Sequence, residues 1–163
     1  MPRLEILPVG ASVFIDANIF LEHFLRRAPS CTAFLERVWN RDVAGTTSVL
    51  VLSEVRHGLL RAEAGARYHL PSRRTLRYLR EHPDAIATLT ESRRALLELR
   101  SWPLRIVHVT RSQFWHATRL SERFGLLTND ALHLATLRAH GLRHLASADR
   151  DFRHIPHLTV WTP

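Results

Sequence analysis

The stretch "SVFIDANIF" (residues 12–20) places an acid where an acid is costly. Val13, Phe14 and Ile15 predict a strand that is apolar on both faces, as in a parallel sheet covered on each side. The run ends in Asp16, with Asn18 two residues on. An ionised carboxylate at the edge of such a core needs a partner.

The rest of the chain alternates in the same style. The strand over 12–16 leads into a helix around 18–27, and a second helix follows Ser30, which is predicted as its N-cap. "VAGTT" (43–47) predicts a short strand, after which Ser48 opens a helix to residue 62 or so. "SRRTLRYLRE" (72–81) and "DAIATLTESRRALLELR" (84–100) predict two more helices, separated by Pro83. "RIVHV" (105–109) reads as a strand, and Thr110 caps a helix ending near Gly125. Thr128 is predicted to cap another helix, which stops at Gly141. "HLAS" (144–147) and "LTVW" (158–161) predict the last two strands. Strands alternating with helices imply an α/β fold, a mostly parallel central sheet flanked by helices on both faces.

Composition bounds the possibilities. A chain of 163 residues, 45% apolar and 23% charged, suits one domain over 1–163 with a sizeable core. No apolar run approaches the roughly 20 residues of a membrane helix, and "MPRLEILPVG" has no apolar signal region. Cys31 is the only cysteine, so no intrachain disulfide is possible and a reducing, cytoplasmic setting is expected. The formal charge is +8, and every basic residue is arginine. That excess suits a polyanionic partner such as nucleic acid, although genomic bias explains it equally well. The absence of lysine weighs against a P-loop, whose lysine contacts the phosphates, and against phospho-acceptor receiver domains.

Ligands of open parallel sheets gather beyond the carboxyl ends of the strands. Asp16 is predicted at one such end and Asp149 just past another. Asp130 falls in the first turn of the helix after Thr128, where the macrodipole favours a negative charge. Glu54 borders the apolar stripe formed by Val51, Leu52, Val55 and Leu59 at 100° or so per residue. Singly, Asp130 reads equally as a helix-start residue, Glu54 as a solvated flank, and Asp149 and Asp151 as turn residues before Phe152. Together they repel. Two carboxylates about 5 Å apart at an effective dielectric of about 20 do so by roughly 3 kcal/mol. Protonation, basic partners or a cation must relieve this, and an all-carboxylate oxygen set suits Mg²⁺ or Mn²⁺ better than zinc.

Three blocks of the chain resemble the PIN-domain ribonucleases, whose prokaryotic members include VapC-type toxins of toxin–antitoxin pairs. "FIDANIFL" is similar to the family's opening strand with its Asp-x-Asn. "TTSVLVLSEVRHGL" is similar to its second block, and "GLLTNDALHLATLRAHGLRHLASADRDF" to its closing block. The resemblance implies acidic site residues at Asp16, Glu54, Asp130 and Asp149, with Asp151 often acidic, and supporting polar residues at Asn18 and Ser147. It further implies Mg²⁺- or Mn²⁺-dependent RNA cleavage, a cognate antitoxin and a homodimer. The span between Glu54 and Asp130 is longer than in compact members, so the helices of 62–101 are expected to form an extension.

Other features have plainer readings. Arg73, Arg77 and Arg80 share one face of helix 72–81, as an RNA-contacting stripe or simply a solvated face. His140, His144, His154 and His157 lack the spacing and cysteine companions of a structural zinc site. Trp39, Trp102, Trp115 and Trp161 are expected in the core. Two rival functions remain: a catalytically silent RNA-binding or assembly module, and a phosphohydrolase with Asp16 as nucleophile. Against the second, the residue two beyond Asp16 is Asn18, which cannot serve as the proton donor such chemistry needs.

Overall fold

The computed structural model describes residues 1–163. After a 3-10 turn at Leu4–Ile6, strand β1 (Ser12–Ile15) leads to helices α1 (Ala17–Phe24) and α2 (Pro29–Trp39). Strand β2 (Ala44–Ser48) precedes α3 (Val49–Arg67), α4 (Ser72–Glu81), α5 (Pro83–Thr88) and α6 (Glu91–Ser101). Strand β3 (Arg105–Val107), helices α7 (Arg111–Phe124) and α8 (Thr128–Ala139), and strands β4 (His144–Ala146) and β5 (Thr159–Trp161) complete the chain.

All five strands are parallel, in the order β3-β2-β1-β4-β5. The chain moves outward from β1 to β3, then returns to β4 on the other side of β1. Right-handed crossovers therefore put α7 and α8 on the face opposite the helices that precede β3. The reversal makes the gap between β1 and β4 a topological switch point, where ligands bind beyond the strand ends. Asp16 directly follows β1, and Ser147 directly follows β4. Both stand at that gap.

β1 owes its central place to composition. Val13, Phe14 and Ile15 are fully buried, in one core with Phe20, Phe34, Leu134 and Phe152. α1 and α3 meet at Gly58, where an added Cβ would lie 2.7 Å from Leu21 Cδ2. That close approach sits one helical turn beyond Glu54 and draws its helix toward the one that Asp16 caps. In the 62–101 extension, α4 and α5 bury Leu79, Ala85 and Leu89 against Ala64 in a small separate cluster. Helix α6 returns to the main core through Ala95 and Leu99.

Two predicted caps stand as expected. Ser48 Oγ accepts from Val51 N–H at 3.2 Å. Thr110 and Gln113 form a reciprocal capping box, and Gly125 ends α7 at φ +64°. Several local expectations are corrected. Ser30 is not a cap, because Pro29 takes the first helical position, where its missing N–H costs nothing, and moves the cap to Ala28. Thr128 is the first helical residue, not the cap, and Leu127 precedes it without a side-chain bond. The helix expected over 84–100 breaks at Leu89–Thr90, where Leu89 turns extended and buries its side chain. Trp39 and Trp115 lie on the surface, 51% and 58% exposed, while Trp161 is in the core. Their helices bury other faces, α2 through Phe34 and Leu35 and α7 through Ala117 and Leu120.

Candidate active site

Asp16 sits where β1 gives way to α1, and its side chain caps the helix it precedes. Oδ1 accepts from Ala17 N–H at 2.6 Å. Oδ2 accepts from Asn18 Nδ2 and from Ser147 Oγ, each at 2.7 Å. Ser147 Oγ in turn accepts from Asn18 Nδ2 and from Asp149 N–H, both at 3.0 Å. Asn18 Oδ1 accepts from Ala148 N–H at 3.0 Å. The two predicted supporting residues thus tie the end of β1 to the end of β4. Oδ2 has both of its lone pairs engaged, and Oδ1 keeps one for a further partner.

The predicted acids fall into two groups. Ligand atoms of Asp16, Glu54 and His133 lie within 4.8 Å of one another, and so do those of Asp130, Asp149 and Asp151. The protein relieves their charges only in part, through His133 beside Glu54 and Asp16. Burial pushes the Asp16 carboxyl above its ordinary range, against the lowering pull of His133 and Ser147. Asp130 is pushed up to about 6 by burial, then by the charge of Asp149, with Asp16 and Asp151 adding to it. Its carboxylate accepts no hydrogen bond from the protein. No arginine forms an ion pair with any of the five acids. Carboxylates held together in this state suit a divalent cation, and the oxygen-rich donor set fits Mg²⁺ or Mn²⁺. Asp16 through Oδ1, Asp130 and Asp149 offer uncommitted oxygens for it.

This repulsion predicts a measurable pH effect in the metal-free protein. A carboxyl raised to about 6 in the fold but near 3.8 in the open chain carries no penalty when both forms are protonated. As pH climbs from 4 to 6 the unfolded state ionises first, so the folded state loses stability and stays weaker above that window. With partial solvent access discounted, the loss is about 1–2 kcal/mol. Asp130→Asn should therefore stabilise the metal-free protein by that amount at pH 7.5 and by nothing at pH 4. Urea melts at the two pH values measure both.

Two residues were overlooked in reading the sequence. His133 is 3% exposed, with Nε2 3.0 Å from Glu54 Oε2 and 3.9 Å from Asp16 Oδ1. Burial opposes its charge, but the hydrogen bond it donates to Glu54 and the charges of Asp16, Glu54 and Asp130 raise its pKa overall. Asn129 Nδ2 donates to Glu54 Oε1 at 2.6 Å. The available signal was spacing: Asn129, Asp130 and His133 lie within five residues, and positions three and four apart share a helix face.

Asp151 is corrected in one respect. The residue next to Phe152 is expected to cap the short turn that follows, but its carboxylate accepts no hydrogen bond; instead Asp149 Oδ1 accepts the Asp151 N–H at 2.8 Å. The donor lies two residues on, the reach of an Asx turn. Arg73, Arg77 and Arg80 are exposed, and Arg77 is paired with Glu81 at 2.7 Å. Helix α4 meets α3 where Arg61 contacts Ser72, about 10 Å along α3 from Glu54 at 1.5 Å per residue. Three of the four histidines weighed for zinc have other partners: His154 meets the Phe124 carbonyl, His144 accepts from the Trp161 indole, and His140 meets Arg105. The largest cavity, about 1150 Å³, lies between α1, α3 and α6 and contains none of the five acids. Asp16 is buried, Glu54, Asp130 and Asp149 are half-buried, and Asp151 is exposed.

Over 155 residues the chain is 24% identical to Ribonuclease VapC2 of Methanocaldococcus jannaschii, covering 91% of each protein. Its fold is similar to that of Mycobacterium tuberculosis VapC20, a sarcin-ricin loop cleaving toxin, at TM-score 0.61 and 18% identity, covering 88% of this chain and 95% of that one. It is also similar to a chain of VapBC2 from Rickettsia felis, crystallised with a promoter DNA fragment, at TM-score 0.61 and 17% identity, covering 93% and 98%. The PIN domain model matches residues 13–158, from the strand before Asp16 to the last residue before β5, and so this chain belongs to the PIN domain family.

Proposed function

We propose that this protein is a metal-dependent endoribonuclease and the toxin of a toxin–antitoxin pair. The observation that carries the reading is a pair of acidic groups from four separate segments, Asp16 and Glu54 with His133 and Asp130 with Asp149 and Asp151, near enough for Asp16 to raise the Asp130 carboxyl. The similarity to a ribonuclease over 91% of both chains supports RNA as the substrate. The net charge of +8 suits a polyanion such as RNA.

Asp16, Glu54, Asp130 and Asp149 would hold Mg²⁺ or Mn²⁺, with Asp151 at its margin. When bound, the ion supplies an activated water and stabilises charge on the phosphate. The chain's own part is orientation. Ser147 and Asn18 lock Asp16 through Oδ2 and leave a lone pair of Oδ1 uncommitted, and the Asx turn holds Asp149. Arg73 and Arg80 would touch the RNA backbone farther along α3. The likeness to toxin–antitoxin complexes supports an antitoxin partner, and the family resemblance implies a homodimer.

Purified protein incubated with total RNA should cut it in Mg²⁺ or Mn²⁺ and stop on addition of EDTA. Cutting that is indifferent to EDTA, or none with any metal, would sink the assignment. Independently, millimolar Mn²⁺ should raise the melting temperature by about 6–10 °C, which corresponds to roughly 2.7 kcal/mol at a hundredfold excess over Kd. An unchanged melt would speak against a carboxylate metal centre. Growth arrest on expression without the antitoxin tests the toxin role, and light scattering at micromolar concentration tests the dimer.

A further inference from the structure

Both oxygens of Glu54 are held from one helix. Asn129 Nδ2 reaches Oε1 at 2.6 Å and His133 Nε2 reaches Oε2 at 3.0 Å. The two donors are four residues apart on α8, hence stacked one turn above the other on a single face. These are the only hydrogen bonds between α3 and α8. We propose that Asn129 and His133 are positioning residues, a two-point clamp that fixes the Glu54 carboxylate for metal binding.

The atoms settle which ring nitrogen carries the proton. Nε2 faces a carboxylate oxygen at 3.0 Å, and two bare acceptors at that distance would repel, so Nε2 bears hydrogen whatever the charge of the ring. Nδ1 is buried without a partner, so the contact that orients the ring is the one to Glu54. The ring is held in place by burial and by Phe14, whose centroid is 6.1 Å away. Glu54 itself is a flexible side chain on the flank of α3, a quarter exposed. Unclamped, it would sample many rotamers, and ligand binding would have to order it. The clamp imposes that order beforehand and leaves a lone pair free on each oxygen. It also sets an N–H 3.9 Å from Asp16, between two carboxylates that otherwise repel.

This inference rests on the metal-dependent reading of the site but is read out separately. Mn²⁺ affinity is measured calorimetrically on the whole protein for wild type, His133→Leu, His133→Gln and Asn129→Ala. Glutamine carries an amide N–H to the place of Nε2. Loss of an outer hydrogen-bond partner typically weakens metal binding 10–100-fold. His133→Leu should weaken Mn²⁺ at least tenfold and lower kcat on RNA with KM unchanged. His133→Gln should stay within threefold of wild type, and the exposed Asn129→Ala should fall between them. If His133→Leu or Asn129→Ala binds Mn²⁺ like wild type, or if folded His133→Gln is as weak as the leucine variant, the clamp is wrong. Wild type that takes up no Mn²⁺ overturns it as well. Should His133→Leu fail to fold, Asn129→Ala and His133→Gln still decide. A wild type that orders the Mn²⁺ affinities as expected but cuts no RNA would overturn the nuclease reading and leave the clamp standing.

Discussion

Asp16→Asn is expected to lower RNA cleavage at least about 1000-fold, a barrier increase of roughly 4 kcal/mol. Asp16 is the acid on which the largest number of independent constraints converge. It caps α1 through Ala17 N–H, receives Asn18 and Ser147 on Oδ2, and leaves one lone pair of Oδ1 uncommitted. Asparagine keeps the shape but removes the charge that attracts a cation. The fold should tolerate it. Burial already raises the Asp16 carboxyl, so the charge is a cost to the metal-free protein that the substitution removes. Opposing this, the asparagine amide must turn its NH₂ toward one of the present donors, and the two effects offset. The melting temperature without metal should therefore move by only a few degrees, while the Mn²⁺-induced rise disappears. Wild-type cleavage by a folded Asp16→Asn protein would remove Asp16 from the chemistry.

The next largest effect separates two neighbouring acids in "SADRDF". Asp149→Ala should reduce cleavage at least tenfold, or about 1.4 kcal/mol in the barrier. It should also destabilise the protein by about 1 kcal/mol, because the turn loses the bond from Asp151 N–H to Oδ1. Asp151→Ala should cost less activity and almost no stability, since its exposed side chain makes no hydrogen bond and its N–H remains paired. Rates and urea melts of both variants decide the matter. A larger loss of activity for Asp151→Ala would exchange the roles of the two acids. A large loss of stability for Asp151→Ala would restore it as the capping residue.

Much of this protein is set by short-range chemistry that can be read along the chain. The three apolar residues before Asp16 require a strand buried on both faces, so an acid at its end stands out without any knowledge of the fold. Ser48 and Thr110 cap helices through bonds that reach only three residues. The same local logic failed where a neighbour competed. Pro29 displaced Ser30 as the cap, and Leu89 left the helical path to fill the space beneath α3.

What only the tertiary structure decided is lateral. Periodicity along a strand does not say which strand lies beside it, so the order β3-β2-β1-β4-β5, and with it the switch point beside Asp16, came from the packed sheet. The grouping of the acids is of the same kind. Asp16 and Glu54 stand with His133, and Asp130 with Asp149 and Asp151. His133 shows the difference most directly. In sequence it is one of eleven histidines on an apolar helix. In the fold its Nε2 lies between Glu54, 79 residues away, and Asp16, two carboxylates that no spacing rule connects to it. Local sequence dictates capping and periodicity because those bonds close within a turn or two. Which distant carboxylates share a donor is settled only when helices and sheet bury their faces together.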